Sequence, residues 1–176
     1  VRKCPYCDFN SHAAGPTLPE QEYVDALLAD LDADLGHVQG RELTSIFFGG
    51  GTPSLFSASA LGRLLDGVEQ RVGFARDIEI TLEANPGTFE QAKFRDYRSL
   101  GINRLSIGVQ SFQEAKLKAL GRIHDGSEAI RAADMARAAG FDNFNLDLMH
   151  GLPEQSIEDA LFDLRTAIAQ EPTHLS

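Results

Sequence analysis

Cysteine is nearly missing from these 176 residues: Cys4 and Cys7, both in the opening stretch VRKCPYCDFN, are the only two. So few thiols cannot build a disulfide framework, and a reducing compartment, the cytoplasm, is the expectation. Basic residues are scarce too. Sixteen Lys and Arg stand against 26 Asp and Glu, a formal net charge of −10, which argues against nucleic acid or an anionic membrane as the main partner. No apolar run reaches the roughly 18 residues of a transmembrane segment. Neither a signal-peptide pattern nor transit-peptide composition is present. Low-complexity tracts are also missing. What remains is 43% hydrophobic, in a length that suits one domain with a substantial core.

The chain alternates between two patterns. TLPEQEYVDALLADLDADL has Pro and Glu in its opening turn and spaces Val24, Leu27, Leu28, Leu31 and Leu35 helically. Its acidic residues lie on a helix face where solvation accounts for them. The strand-like LTSIFF follows, and then a helix over roughly 57–72 with Leu61, Leu64, Leu65 and Val68 on one side. The strand IEITLE, a helix at about 88–100 and the strand NRLSIGVQ come next. Helical stretches fill about 112–140, where AIRAADMARAAG predicts a packed helix closed by Gly140. The strand FNLDLM, a helix near 156–170 and the strand beginning THLS complete the series. Strands alternating with helices predict right-handed crossovers and a parallel sheet, in one domain covering residues 1–176.

A barrel and a doubly wound sheet share this alternation, and the strand composition separates them. Strands covered on both faces read as continuous apolar runs. Here Ile78, Ile80 and Leu82 alternate with Asp77, Glu79, Thr81 and Glu83. Leu105, Ile107 and Val109 alternate with Arg104, Ser106, Gly108 and Gln110, and Phe144, Leu146 and Leu148 with Asn143, Asn145 and Asp147. Each strand therefore has an apolar face for helices and a polar face for something wet. A curved sheet with helices outside and a polar lumen fits, as a barrel open enough to hold a ligand. No strand precedes the cysteines and the last strand is a stub, so the expectation is a barrel incomplete at both ends, a piece of a larger protein.

Four special segments fall at the carboxyl ends of the strands: GGGTPS, EANPGT, GVQSF and DLMHGLP. That rim is where parallel α/β folds bind ligands. A single glycine-rich loop would be read as a tight turn; four segments on one rim predict a site. The Cys4–Cys7 pair is open to three readings, as a redox dithiol, half of a zinc site, or part of an iron–sulfur site.

The segments KCPYCDF, GGGTPS, EANPGT, RLSIGVQSF, GRIHD and NLDLMHGLP resemble the radical S-adenosylmethionine (radical SAM) superfamily. More closely, they resemble the HemW-type heme chaperones and the related oxygen-independent coproporphyrinogen III dehydrogenases. The resemblance implies an α/β fold, a partial (β/α)6 TIM-like barrel, here without its first strand and C-terminal domain. It also implies a [4Fe-4S] cluster and S-adenosylmethionine. Cys4 and Cys7 match the second and third cysteines of the family's Cys-x-x-x-Cys-x-x-Cys motif, and the first would fall just before Val1, so the chain as given is expected to hold a cluster poorly. By the same resemblance Tyr6 lies beside the cofactor and Gly50, Gly51 and Thr52 pass along its methionine portion. Glu83 contacts a first S-adenosylmethionine; Gln110, Arg122 and Asp147 match positions that contact a second one in the coproporphyrinogen enzymes. Phe9 stands where those enzymes carry a further cysteine, which with EANPGT favours the chaperone branch, with heme or porphyrin as cargo and heme proteins as recipients. The alternatives are oxidative decarboxylation of coproporphyrinogen III, and a non-radical barrel with a zinc or dithiol end. His150 replaces the family's usual tyrosine. Glu79 and Asn143, lower on their strands, read as structural polar neighbours, and Arg122 as a possible surface ion-pair partner. His12, His37, His124 and His174 read as surface or loop histidines.

Overall fold

A computed structural model describes residues 4–8 and 17–176. Phe9 and His12 lie outside the described residues. Helix α1 (Glu20–Val38) leads into β1 (Leu43–Phe48), and α2 (Ala58–Val72) into β2 (Phe74–Ala84). The short helices α3 (Thr88–Gln91) and α4 (Phe94–Ser99) precede β3 (Arg104–Gln110), and α5 (Glu114–Ala119) with α6 (Gly126–Ala138) precede β4 (Asn143–Leu148). Finally α7 (Ile157–Ile168) leads to the two-residue β5 (His174–Leu175).

All neighbouring strands pair in parallel, and their order in the sheet is their order in the chain, β1 to β5. A doubly wound sheet reverses direction at a switch point. Here crossovers of one hand step always the same way and place the helices on one face. The fold is therefore a partial (β/α) barrel wall.

The apolar strand faces pack as their alternation predicts. Ile80, Leu82, Leu105, Ile107, Val109, Phe144 and Leu146 share one buried cluster with Leu61 and Leu65 of α2, Phe94 and Tyr97 of α4, and Ala167 of α7. Ala129, Ala132, Ala133 and Ala136 join it from α6; small side chains let that helix lie close on the sheet. Helix α1 differs from its expected role. Of its apolar stripe only Val24 is buried, in a separate cluster with Ala60 and Leu64 that Phe48 of β1 touches at its edge, because α1 packs chiefly on α2. Ion pairs Arg63–Asp25 and Arg71–Asp32 tie these two helices along their polar edges.

The helical stretches expected over 112–140 are the two helices α5 and α6, and glycine ends each of them. After α5, Gly121 adopts φ +68°, and the Gly121 and Arg122 N–H groups donate back to the Lys118 and Leu117 carbonyls at 3.0 Å each. This is the Schellman closure. Gly140 (φ +88°) ends α6 in the same way, through its own N–H to Arg137 and that of Phe141 to Ala136. The stretch over 88–100 likewise divides into α3 and α4.

The polar face is drier than expected in its middle. Thr81, Ser106 and Asn145 are buried, and the register aligns Glu83 with Ser106 and Ser106 with Asn145. Among the described residues no helix is long and apolar enough to cross a membrane.

Candidate cofactor site

The ends of β1 and β2 lie level, with Phe48 opposite Leu82, so the glycines after β1 emerge beside Glu83. The Gly50 N–H donates to Glu83 Oε2 at 3.0 Å. Gly50 and Gly51 take φ of +78° and +52°, and a Cβ at either would meet nothing within 4 Å. Left-handed backbone is cheap only for glycine, and here it turns the loop backbone towards open space. Gly49 lies close to side chains instead: its Cβ would stand 2.7 Å from the Phe47 ring, which would have to shift, and 3.3 Å from the Glu83 carboxyl carbon. Thr52 starts a 3-10 turn over Pro53–Leu55, its carbonyl accepting from the Leu55 N–H at 3.1 Å. Burial pushes the Glu83 carboxyl above its ordinary range; the Gly50 hydrogen bond opposes this, and the charge of Asp147 adds to it. Glu83 and Asp147 are thus electrostatic neighbours on one rim.

Arg122 follows the glycine that closes α5 and turns inward. Its Nη2 donates to the Gly108 carbonyl at 2.7 Å and to Asn85 Oδ1 at 2.9 Å. Its Nη1 faces Cys4 Sγ at 3.7 Å and the Tyr6 hydroxyl at 3.5 Å. Cys4 and Cys7 sit on one turn, the Cys7 N–H donating to the Cys4 carbonyl at 3.1 Å, and Pro5 of that turn lies 3.1 Å from where Gly121 would carry a Cβ. Burial raises the Tyr6 hydroxyl above its ordinary value, and the Arg122 charge works against the rise. Gln110, itself at φ +68°, reaches the same spot: a Cβ on Gly108 would stand 2.9 Å from Gln110 Nε2 and 3.5 Å from Arg122 Nη2. Tyr6, Arg122, Gln110 and the cysteine turn therefore converge on the ends of β2 and β3.

Asp147 joins the site through β3 and β4. Its Oδ2 accepts from the Ser106 hydroxyl at 3.0 Å and its Oδ1 from the Asn145 amide at 2.7 Å. Ser106 Oγ also accepts from Asn145 Nδ2 at 3.0 Å. Sequence reading placed Ser106 and Asn145 on the polar face but not in the site, since only the register reveals that they orient Asp147. Asn85 and Glu90 were missed as well. Glu90 is buried at 8% exposure, hydrogen-bonds Asn85, and is held above the usual carboxylate range by burial, against the pull of Lys93 and Arg122.

The remaining sequence expectations divide. Glu79 lies 3.9 Å from Arg104, and Asn143 Oδ1 accepts from the Thr173 hydroxyl at 2.8 Å, both structural roles. Arg122 makes its contacts inward and does not serve a surface carboxylate. His37, His150 and His174 are exposed. His124 lies in a loop but is not at the surface: it is 8% exposed, with Nε2 3.0 Å from the Val109 carbonyl, and burial pulls its pKa down.

The donor set fits the cofactors that the sequence suggests. Both cysteines are free thiols, and among the described residues they join no group of three or more His, Cys, Asp or Glu that could hold a metal ion. Two thiols on one turn can supply two positions of a thiolate-held cluster. At the ends of β1 and β2, the open backbone of Gly50 and Gly51 and the half-buried Glu83 offer a cradle for a polar ligand.

The chain is similar to known proteins along its whole length. Residues 1–166 match the Radical SAM superfamily. The chain is 61% identical over 176 residues to the heme chaperone HemW of Escherichia coli K12, a match covering 100% of this chain and 47% of that protein. It is 55% identical over 180 residues to the heme chaperone HemW of Haemophilus influenzae, with the same 100% and 47% coverage. Among solved structures it resembles the coproporphyrinogen III oxidase HemN of Escherichia coli, a radical SAM enzyme, at TM-score 0.88 and 30% identity over 99% of this chain and 40% of that one. The chain spans about half the length of the curated relatives it matches.

Proposed function

Because this chain belongs to the radical SAM superfamily, we propose that it forms the cofactor-binding barrel of a heme chaperone of the HemW kind. The family implies a [4Fe-4S] cluster and S-adenosylmethionine, which together supply the one-electron chemistry that yields a 5′-deoxyadenosyl radical. Cys4 and Cys7 would hold the cluster with a further cysteine. Gly50, Gly51 and Thr52 would carry the methionine portion of S-adenosylmethionine along their backbone, Glu83 fixing the loop through the Gly50 N–H. Tyr6, Gln110, Arg122 and Asp147 would line the remaining wall, with Ser106 and Asn145 holding Asp147 in orientation. The observation that carries this reading is the Arg122 tether, which brings the cysteine turn to the rim formed by Asn85 and Gly108.

In the full-length protein we assign heme as cargo, heme proteins as recipients, and the cytoplasm as compartment. Phe9, where the decarboxylating relatives have cysteine, supports this branch, as does the 61% identity to a heme chaperone. The second reading is oxidative decarboxylation of coproporphyrinogen III, favoured by the 0.88 TM-score likeness to HemN. The test reconstitutes full-length protein anaerobically, counts iron and sulfide, and records spectra with and without S-adenosylmethionine. About four irons per chain and a spectral change on adding the cofactor are expected, with heme retained and coproporphyrinogen left unconverted. Turnover of coproporphyrinogen would select the second reading, and absence of a cluster would return the cysteines to a dithiol or zinc role.

A further inference from the structure

The stretch following the glycine loop cannot hold itself. The 3-10 turn Pro53–Leu55 is only three residues long; the Leu55 and Phe56 N–H groups reach the Thr52 and Pro53 carbonyls, α2 begins only at Ala58, and the carbonyls of residues 54–56 are left over. Those three carbonyls are met from elsewhere. Lys93, between α3 and α4, donates from Nζ to the carbonyls of Ser54, Leu55 and Phe56 at 3.2, 2.9 and 3.2 Å. Tyr97, fully buried, donates its hydroxyl to Ser54 and Phe56 at 2.7 and 3.0 Å. The next residue is fixed too: the Ser57 N–H and hydroxyl both donate to the Glu20 carboxylate, and Ser57 Oγ accepts from the Ala60 N–H at 3.1 Å. Burial pulls the Lys93 pKa below its ordinary value, and the charges of Glu20 and Glu90 oppose that fall.

Upstream, Gly50 is fastened to Glu83. Gly51 and Thr52 therefore span the gap between two fixed points, Glu83 on one side and the Lys93–Tyr97 clamp on the other. Glycine permits the left-handed turns but has the most conformational freedom to lose. A loop that meets a ligand through its backbone binds better when that freedom is removed beforehand.

We propose that Lys93, assisted by Tyr97, is the positioning residue that pre-sets the Gly50–Thr52 loop for its cofactor, acting through the carbonyls of residues 54–56. This rests on the reading of that loop as an S-adenosylmethionine contact. Lys93 would act on the cofactor only through the shape of that segment.

The experiment uses full-length protein with its cluster reconstituted anaerobically, S-adenosylmethionine as the titrant, and iron content measured in parallel. Lys93→Met keeps the aliphatic stem and removes the three donors. Its Kd for S-adenosylmethionine is expected to rise about tenfold at unchanged iron content, with Lys93→Arg recovering part of the loss. Tyr97→Phe removes one hydroxyl and should raise Kd about threefold. Wild-type affinity in Lys93→Met overturns the proposal, and so does a loss of iron that runs parallel to the loss of affinity. If Lys93→Met does not fold, Tyr97→Phe decides, and wild-type affinity there overturns the proposal equally. Gly50→Val, which forces a branched side chain into a left-handed position, separates the two claims. If it alone abolishes binding, the clamp falls and the loop reading stands; a wild-type protein without affinity brings down both.

Discussion

Arg122 Nη1 lies 3.7 Å from Cys4 Sγ, joining residues 118 positions apart. The contact depends on the glycine that closes α5, because Gly121 turns the chain so that Arg122 points at the sheet and not along its helix. One guanidinium then serves four groups: the Gly108 carbonyl, the Asn85 amide, the Tyr6 hydroxyl and the Cys4 thiol. A planar, multi-donor cation suits that task better than an ammonium.

Replacing Arg122 with Met should therefore free the cysteine turn while leaving the barrel wall folded. The bonds to Gly108 and Asn85 are worth about 1–3 kcal/mol together, so a modest drop in denaturation midpoint is expected. The larger effect should be local: the Cys7 amide should exchange with deuterium about tenfold faster, in line with the loss of roughly 1.4 kcal/mol of local protection. Lys at this position should restore only part of that protection. Unchanged exchange at Cys7 would show that the turn is held by something other than Arg122.

Glu83 yields a pH-dependent prediction. Burial raises its folded-state pKa above that of the unfolded chain, with Asp147 adding to the rise. The folded state then binds its proton more tightly than the unfolded one. The stabilisation this gives is complete below the unfolded glutamate value of about 4.3, and is lost as pH rises through the raised folded value. Glu83→Gln is neutral at every pH and can still accept from the Gly50 N–H. It should melt about 1–3 °C above wild type at pH 7, a gap closing towards pH 4. Thermal melts across that range check the sign: a variant less stable than wild type at pH 7 would contradict it. If Glu83 meets S-adenosylmethionine through its charge, as the family resemblance implies, the same variant should bind it more weakly.

The alternation of Ile80 and Leu82 with Thr81 and Glu83 made both faces of the sheet readable, because a period of two records which side packs. For the same reason the sequence alone puts Glu83, Gln110 and Asp147 at strand ends on the polar face. Contacts across long chain separations left no such trace. Nothing around Ser106 or Asn145 says that they orient Asp147; that needs the register between β3 and β4. Nor does local sequence distinguish a surface arginine from Arg122, or an exposed loop histidine from His124. Helix α1 misled in the opposite way. Its leucine spacing promises a core face, but the surface it meets is another helix, and Leu27 remains 37% exposed.

Two glycines make opposite predictions from the same substitution. A Cβ on Gly126, at the start of α6, would stand 2.2 Å from the Phe112 carbonyl oxygen and 3.0 Å from its carbon. Both are backbone atoms, so no rotamer change relieves the clash, and either α6 or the segment after Gln110 must move. Gly126→Ala should cost about 3 kcal/mol, and by shifting the GVQSF segment it should also weaken S-adenosylmethionine binding. Gly36 lies inside α1 with nothing within 4 Å of the corresponding position. Gly36→Ala should instead stabilise by about 0.5–1 kcal/mol, since the helix no longer has to order a glycine. Urea denaturation of both variants beside wild type tests the pair. Equal midpoints would mean that the close approach of α6 to Phe112 is not a constraint of the folded protein, and with it would go the account of how the third rim segment is held.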